Sequence, residues 1–183
     1  MSHALRAQQL CLLAMALVTA ACGAPASPLL PWSEARVSAF ATWPVVDAST
    51  LAATARASGR PVVASLWARW CEPCLAEMPV LAALARQTGA TWVSVATDAP
   101  DDAPERTLAA LTTADRGADL FHARAPSGGP EAFLAPAGVA WTGMLPTHAL
   151  FAGDGAFVGV LEGTLEADAA DDLARRLTPW RVP

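Results

Sequence analysis

Hydrophobic and polar positions fall along this chain in blocks whose lengths separate strands from helices. Val62 to Trp67 (VVASLW) and Thr91 to Ala96 (TWVSVA) are short apolar, β-rich runs, suited to central strands, the first buried on both faces. Thr147 to Ala152 and Ala156 to Leu161 are two further apolar runs joined by Gly153-Asp154-Gly155, and Asp-Gly supplies the positive backbone angles of a hairpin. Thr50 to Ala57 has helical composition and stops at Ser58-Gly59, where glycine takes the left-handed closing conformation. Cys71 to Gln87 is helical in its Leu, Ala and Glu content, with Pro79 inside to kink it. Leu165 to Leu177 reads as a closing amphipathic helix. The pattern is weaker from Asp98 to Gly143: Pro104 to Ala114 predicts a helix, Leu120 to Ala125 a short strand, and Ser127-Gly128-Gly129-Pro130 a breaker. Helix, strand, helix, strand, helix, hairpin, helix predicts an α/β three-layer sandwich, a central mixed sheet flanked by helices. There is no internal repeat.

The beginning of the chain follows a different pattern. MSHALR is followed by an uncharged apolar run from Leu10 to Val18 and then by Thr19-Ala20-Ala21-Cys22, the order of a secretory signal. The run is too short to span a bilayer, which needs about 20 apolar residues. A cysteine directly after two alanines resembles the bacterial lipoprotein signal, in which that cysteine is acylated, although Thr19 stands where leucine is commonest. We expect a signal peptide over residues 1–21, a lipid anchor on Cys22, a Pro- and Ala-rich tether over 22–40 and a folded domain over 41–183, with folding beginning at or shortly after Trp32. Ordinary cleavage near Ala21 or Ala24 would instead leave a soluble periplasmic protein.

Composition supports one packed domain: 54% of residues are hydrophobic and 16% charged. The net charge of -5 leaves no basic footprint, so nucleic acid is a poor partner. Four cysteines occur. Cys11 lies in the removable signal and Cys22 is the anchor candidate, so Cys71 and Cys74 alone serve the domain. One close pair is not a disulfide scaffold.

That pair sits in Trp67-Ala68-Arg69-Trp70-Cys71-Glu72-Pro73-Cys74, where a buried strand gives way to a helix. A helix start carries unpaired N–H groups and about half a positive charge, which stabilises a thiolate. The first cysteine then ionises below the free-thiol value of about 8.5. Two intervening residues put the second sulfur one turn inward, within reach of a mixed disulfide on the first. Pro73 lacks only an N–H that a first helical turn does not use. A structural zinc site would need four ligands, and the domain offers only His122 and His148 besides the pair. A redox pair with Cys71 as exposed nucleophile and Cys74 as buried resolving thiol is the stronger reading; no cofactor and no metal is expected.

WCEPCLAEMP, preceded by SLWAR and followed at a distance by GMLPTHALF and the Asp-Gly hairpin, resembles the ResA/TlpA-like thiol-disulfide oxidoreductases of the thioredoxin superfamily. The resemblance spans roughly Val62 to Leu177 and is specific at WCEPC, Glu77-Met78-Pro79 and Leu145-Pro146-Thr147. It implies a thioredoxin-like fold, lipid anchoring at the periplasmic face of a bacterial membrane, and reduction of protein disulfides, often those of apocytochrome c awaiting haem. The implied partners are client protein thiols and disulfides and a membrane electron donor. It implies a cis proline at Pro146 facing the pair, with Trp70, Leu145 and Pro146 as client-binding residues, and a functional glutamate at Glu77. Six residues beyond Cys71 and three beyond Cys74, Glu77 lies on the helix face of the sulfurs and could accept or return a cysteine proton during exchange. Two departures stand out: GGPEAFLAPAG replaces a more regular strand and helix between Ala99 and Ala140, and His148 stands where an apolar or hydroxyl residue is usual.

Three other functions compete. A disulfide oxidase needs a strongly stabilised thiolate, and the charge of Glu72 beside Cys71 opposes that, favouring a reductant. Peroxide reduction needs threonine and arginine around the cysteine in a setting absent here. A copper-binding assembly factor would use His148 with the pair, since imidazole and thiolate both bind copper.

Overall fold

The computed structural model describes residues 29–35, 38–99, 104–112, 120–165 and 167–177. The expected signal peptide and Cys22 lie outside the described residues. Strands are β1 (Leu30–Pro31), β2 (Val62–Trp67), β3 (Thr91–Ala96), β4 (Phe121–Arg124), β5 (Thr147–Phe151) and β6 (Phe157–Glu162); helices are α1 (Trp32–Ala35), α2 (Ala48–Ser58), α3 (Glu72–Thr88), α4 (Pro104–Thr112), α5 (Gly129–Leu134) and α6 (Ala167–Leu177). The strands form one six-stranded sheet in the order β1-β4-β3-β2-β5-β6. β2 runs parallel to β3 and antiparallel to β5, β3 is parallel to β4, and β1 and β6 pair antiparallel at the two edges.

Period-two alternation along the strands sends side chains into two cores, one on each face of the sheet. On one face Val63, Trp67, Trp92, Ala96 and Leu150 pack with Cys71, Cys74, Leu75, Met78 and Leu81 of the α3 segment and with Leu111, Leu173 and Leu177 from α4 and α6. On the other, Val62, Ala64, Leu66, Val93, Val95, Ala149 and Phe151 pack with Leu51 and Ala55 of α2 and Phe133 and Leu134 of α5. This is the three-layer α/β sandwich the pattern predicts. All six residues of β2 are buried, as a central strand between two helical layers requires.

Local chemistry sets the helix ends. Asp47 caps α2, its Oδ1 accepting the N–H of Thr50 at 2.8 Å, so the helix begins at Ala48, ahead of the expected Thr50. α3 ends at Gly89, whose left-handed φ of 69° costs glycine nothing. The Gly153–Gly155 turn lies directly on α2. A Cβ on Gly153 would stand 2.6 Å from the Gly59 carbonyl oxygen, and one on Gly155 2.5 Å from that of Ala52.

The structure corrects the sequence reading in three places. The ordered unit reaches back into the stretch expected as tether, because β1 pairs with β4 and the Trp43 indole N–H donates to the Ala35 carbonyl at 3.2 Å. Gly128-Gly129-Pro130 opens α5 instead of only breaking the chain: Gly128 is the N-cap with φ 103°, and Pro130 stands in the first turn, where no N–H is needed. α6 begins at Ala167, two residues later than expected, and the N–H of Leu165 just ahead of it donates to Glu77 Oε2 across the core at 3.0 Å.

Candidate active site

Cys71 is the N-cap of α3 and follows the tight turn Ala68–Trp70, closed by its own N–H donating to the Ala68 carbonyl at 2.9 Å. Its Sγ accepts the N–H of Cys74 at 3.3 Å. The two sulfurs are joined in a disulfide, placed where the unpaired N–H groups and positive end of a helix support a sulfur anion once the bond opens. In this oxidised state both cysteines are buried, 4% exposed for Cys71 and 1% for Cys74, which corrects the expectation of an exposed Cys71. The bond to Cys74 and the Cys74 N–H hold its sulfur at the helix start. Trp70 is 70% exposed, so it stands out beside the disulfide and does not pack over it.

The turn before Cys71 is held from β3. The carboxylate of Asp98 is buried, accepting the Arg69 backbone N–H at 2.9 Å and the Arg69 guanidinium at 3.0 Å. Next to it, Thr97 donates its N–H to the Trp67 carbonyl at 2.8 Å and its hydroxyl to the same oxygen at 3.0 Å. Both anchors lie just past the C-terminal end of a parallel strand, the usual place for function in open α/β sheets.

Pro146 lies on the neighbouring strand at the same end of the sheet. Leu66 is opposite Thr147 in the β2–β5 register, so Pro146 falls beside the point where β2 delivers the Cys71 turn. The Leu145–Pro146 bond is cis. Leu145 is half-buried and Met144 is 50% exposed. The loop is braced from inside, with Trp141 Nε1–H and Thr147 Oγ1–H both donating to the Met144 carbonyl, at 2.9 and 2.7 Å.

Glu77 is 4% exposed, one turn along α3 from Cys74 and on the same face. Its Oε2 accepts the N–H of Leu165 at 3.0 Å. Its Oε1 lies 3.1 Å from Nε2 of His148, yet neither atom has an aligned hydrogen-bond partner among the described residues. The contact is therefore close and electrostatic without being a well-directed hydrogen bond. Nδ1 of His148 is 3.0 Å from the Ser65 hydroxyl. Both ring nitrogens thus face polar protein atoms in a fully buried position, which does not favour the copper reading. His122 is on β4, two strands from β2, and is not brought to the pair.

The sequence reading missed Arg69, Asp98, Ser65 and the Leu165 N–H. For Asp98 a signal existed: a lone carboxylate just beyond an apolar strand. The link between Glu77 and His148 joins residues far apart in the chain, and no local pattern reports it.

A cysteine pair on the first turn of a helix, with a cis-proline loop on the adjacent strand and a mixed sheet between helical layers, defines a thioredoxin-like fold carrying a dithiol/disulfide centre. The solved structures it is similar to are thiol-disulfide oxidoreductases of that superfamily. One is described as a thiol:disulfide interchange protein DsbE, from Chlorobium tepidum, at 23% identity over 67% of this chain and 81% of that one, with a TM-score of 0.51. Another is a secreted disulfide oxidoreductase of Mycobacterium tuberculosis, at 23% identity over 67% and 83%, TM-score 0.47. A third is the exposed lipoprotein thioredoxin Etrx1 of Streptococcus pneumoniae, at 26% identity over 66% and 87%, TM-score 0.47. No family model and no curated protein matches the chain. The likeness to the Chlorobium tepidum protein is one of fold.

Proposed function

We propose that this protein is an extracytoplasmic thiol-disulfide oxidoreductase that reduces disulfides in client proteins. The observation that carries the reading is the Cys71–Cys74 disulfide at the start of α3, with the Cys71 sulfur accepting the N–H of Cys74. In the reduced form the helix start stabilises the Cys71 thiolate. That thiolate attacks a client disulfide, forming a bond from Cys71 to one client sulfur and releasing the other client cysteine. Cys74, one turn inward, then gives up its proton, attacks the Cys71 sulfur, re-forms the Cys71–Cys74 bond and expels the second client cysteine. Two electrons pass from the dithiol to the client, and a membrane electron donor returns them. Glu77 takes the Cys74 proton. Trp70 and the Leu145–Pro146 loop bind the client peptide beside the sulfurs. Glu72, exposed at the first turn, weakens thiolate stabilisation and biases the pair towards reduction of others. Export by a signal peptide with acylation of Cys22 would hold the domain at the periplasmic face of a bacterial membrane. Among the described residues no helix is long and apolar enough to cross a membrane. Apocytochrome c is the client class we propose first.

Reduction of insulin disulfides with dithiothreitol as electron source tests the activity. Wild type should accelerate insulin precipitation, and Cys71→Ser should match buffer. Cys74→Ser should accumulate mixed disulfides with clients. Equal rates for wild type and Cys71→Ser would sink the reading.

A further inference from the structure

Polar side chains lie in a row across the sheet on the face that α3 covers. Ser65 of β2 is opposite His148 of β5 on one side and Ser94 of β3 on the other, and Ser94 is opposite His122 of β4. All four are buried, His122 and His148 completely. Buried polar groups are costly unless they find partners, and apolar residues would pack this face more simply. At the end of the row nearest the disulfide, His148 meets Glu77, one turn from Cys74. The contacts fit a specific set of charges. Glu77 accepts the Leu165 N–H on Oε2 and sets Oε1 3.1 Å from His148 Nε2, close enough for a proton to pass between them. The imidazole in turn has the Ser65 hydroxyl at its far nitrogen, and a hydroxyl can donate or accept there.

We propose that His148, backed by Ser65, is a positioning residue that makes Glu77 a reversible store for the Cys74 proton. The inference rests on the oxidoreductase reading and deepens it. Before resolution Glu77 carries the negative charge of the trio, and His148 is neutral with its proton on Nδ1, donated to the Ser65 oxygen, so that the Nε2 lone pair faces Glu77. In the resolving step the Cys74 S–H bond breaks and the Cys74 sulfur attacks Cys71. The Cys71–Cys74 bond forms, the bond from Cys71 to the client sulfur breaks, and the client cysteine leaves as a thiolate. The proton passes to Glu77 and on to the facing Nε2 of His148, giving an imidazolium beside the carboxylate, with Nδ1–H still donating to the Ser65 oxygen. The trio goes from one negative charge to none, and no side chain has to change its rotamer. Re-reduction of the disulfide returns the proton to Cys74.

Among the described residues, these groups lie about the imidazole and Glu77. From α3 they are Glu77 and, one turn away, Cys74; from β2, Ser65. From β6, His148 is opposite Leu161, and the next residue, Glu162, is exposed to solvent. From the segment before α6 it is the Leu165 N–H on Glu77.

The test is stopped-flow oxidation of the reduced full chain by oxidised glutathione, resolving the second step, from about pH 5 to about pH 9, where imidazole and thiols titrate. Glu77→Gln should slow resolution about a hundredfold and His148→Asn about tenfold, the scale of a general base and of its partner. Asparagine keeps a polar side chain beside Glu77 but cannot take up a proton, so His148→Asn should also flatten the pH profile while its melting curve stays close to wild type. Nitrogen-15 spectra of the wild-type ring should change at both nitrogens when the disulfide is reduced, and should cease to do so in Glu77→Gln. A His148→Asn profile identical to wild type, or ring nitrogens indifferent to redox state, overturns the proton store while leaving the oxidoreductase intact. Wild type no faster than Cys71→Ser overturns both. If His148→Asn does not fold, the wild-type ring spectra decide alone.

Discussion

Removing the Asp98 carboxylate should loosen the turn that delivers Cys71, and the cost can be worked from its contacts. The side chain is 1% exposed and accepts from the Arg69 backbone N–H at 2.9 Å and from the Arg69 guanidinium at 3.0 Å. Hydrogen bonds to a charged group contribute about 1.5–3 kcal/mol each, so losing both is a gross loss of about 3–6 kcal/mol. The Arg69 side chain is 22% exposed and turns partly to water when released, which recovers a share. We expect Asp98→Ala to destabilise by about 3 kcal/mol net, a fall in Tm of about 6–12 °C for a domain of this size. Asp98→Asn keeps an oxygen for the Arg69 N–H and loses only the ionic half, so about half that loss is expected. Urea unfolding of the oxidised protein, followed by circular dichroism with m unchanged, reads the difference. The same series should slow insulin reduction in the order wild type, Asp98→Asn, Asp98→Ala, because Cys71 leaves the helix start when the turn relaxes. Asp98→Ala within 1 kcal/mol of wild type, or Asp98→Asn no milder than Asp98→Ala, would refute the clamp; the first threshold is about what one ordinary hydrogen bond contributes.

Three further outcomes follow from other contacts. Burial pushes the Asp47 carboxyl up, but the Thr50 N–H and the Ser49 and Thr50 hydroxyls outweigh it, and the net direction is down; its contribution is therefore present above the ordinary value of 3.8 and is lost as pH falls through the lower folded value. Asp47→Ala should cost about 1 kcal/mol at neutral pH and much less in acid, read by urea melts at both. Gly153→Ala should destabilise by about 1–3 kcal/mol through the clash with the Gly59 carbonyl, whereas Gly89→Ala, whose Cβ meets nothing, should cost only the left-handed backbone penalty of about 1–2 kcal/mol; thermal melts of the two compare them. Trp70→Ala should leave stability within about 0.5 kcal/mol because the ring stands in solvent, yet should raise KM for insulin while leaving oxidised glutathione turnover unchanged.

Much of the fold was written locally. β2 and β3 have the predicted bounds because continuous apolar runs of that length fit no other element here, and the hairpin followed from Asp-Gly. The cysteine pair and its helix start were equally plain. What escaped was set by contacts across the chain. Leu165 looks like the first residue of a helix, but it stands ahead of α6, and a carboxylate far back in the sequence takes its N–H. GGPEAFL reads as a break because glycine and proline are breakers in most settings, and here they form a first turn. Arg69 and Asp98 carry no motif, and only the sheet brings them together.

The two-residue strand β1 also has a mechanical meaning. It is the outermost rung of the sheet, paired with β4 through Leu30 opposite His122 and Pro31 opposite Phe121. Tension entering from the residues ahead of Leu29 would load those two rungs before any other, and an edge strand this short peels open rung by rung. β4 would stay in place, paired with β3 and held by the Arg124 guanidinium on the Trp43 and Ala41 carbonyls. If the proposed anchor on Cys22 holds the chain, releasing the stretch from Leu29 to Ala39, with the Trp43–Ala35 hydrogen bond given up as well, would add roughly 35 Å of reach, at about 3.3–3.6 Å per residue. The disulfide lies beyond β4 and β3 at the far end of β2, so the domain could extend its reach under load with its chemistry undisturbed, giving way first at the part that matters least.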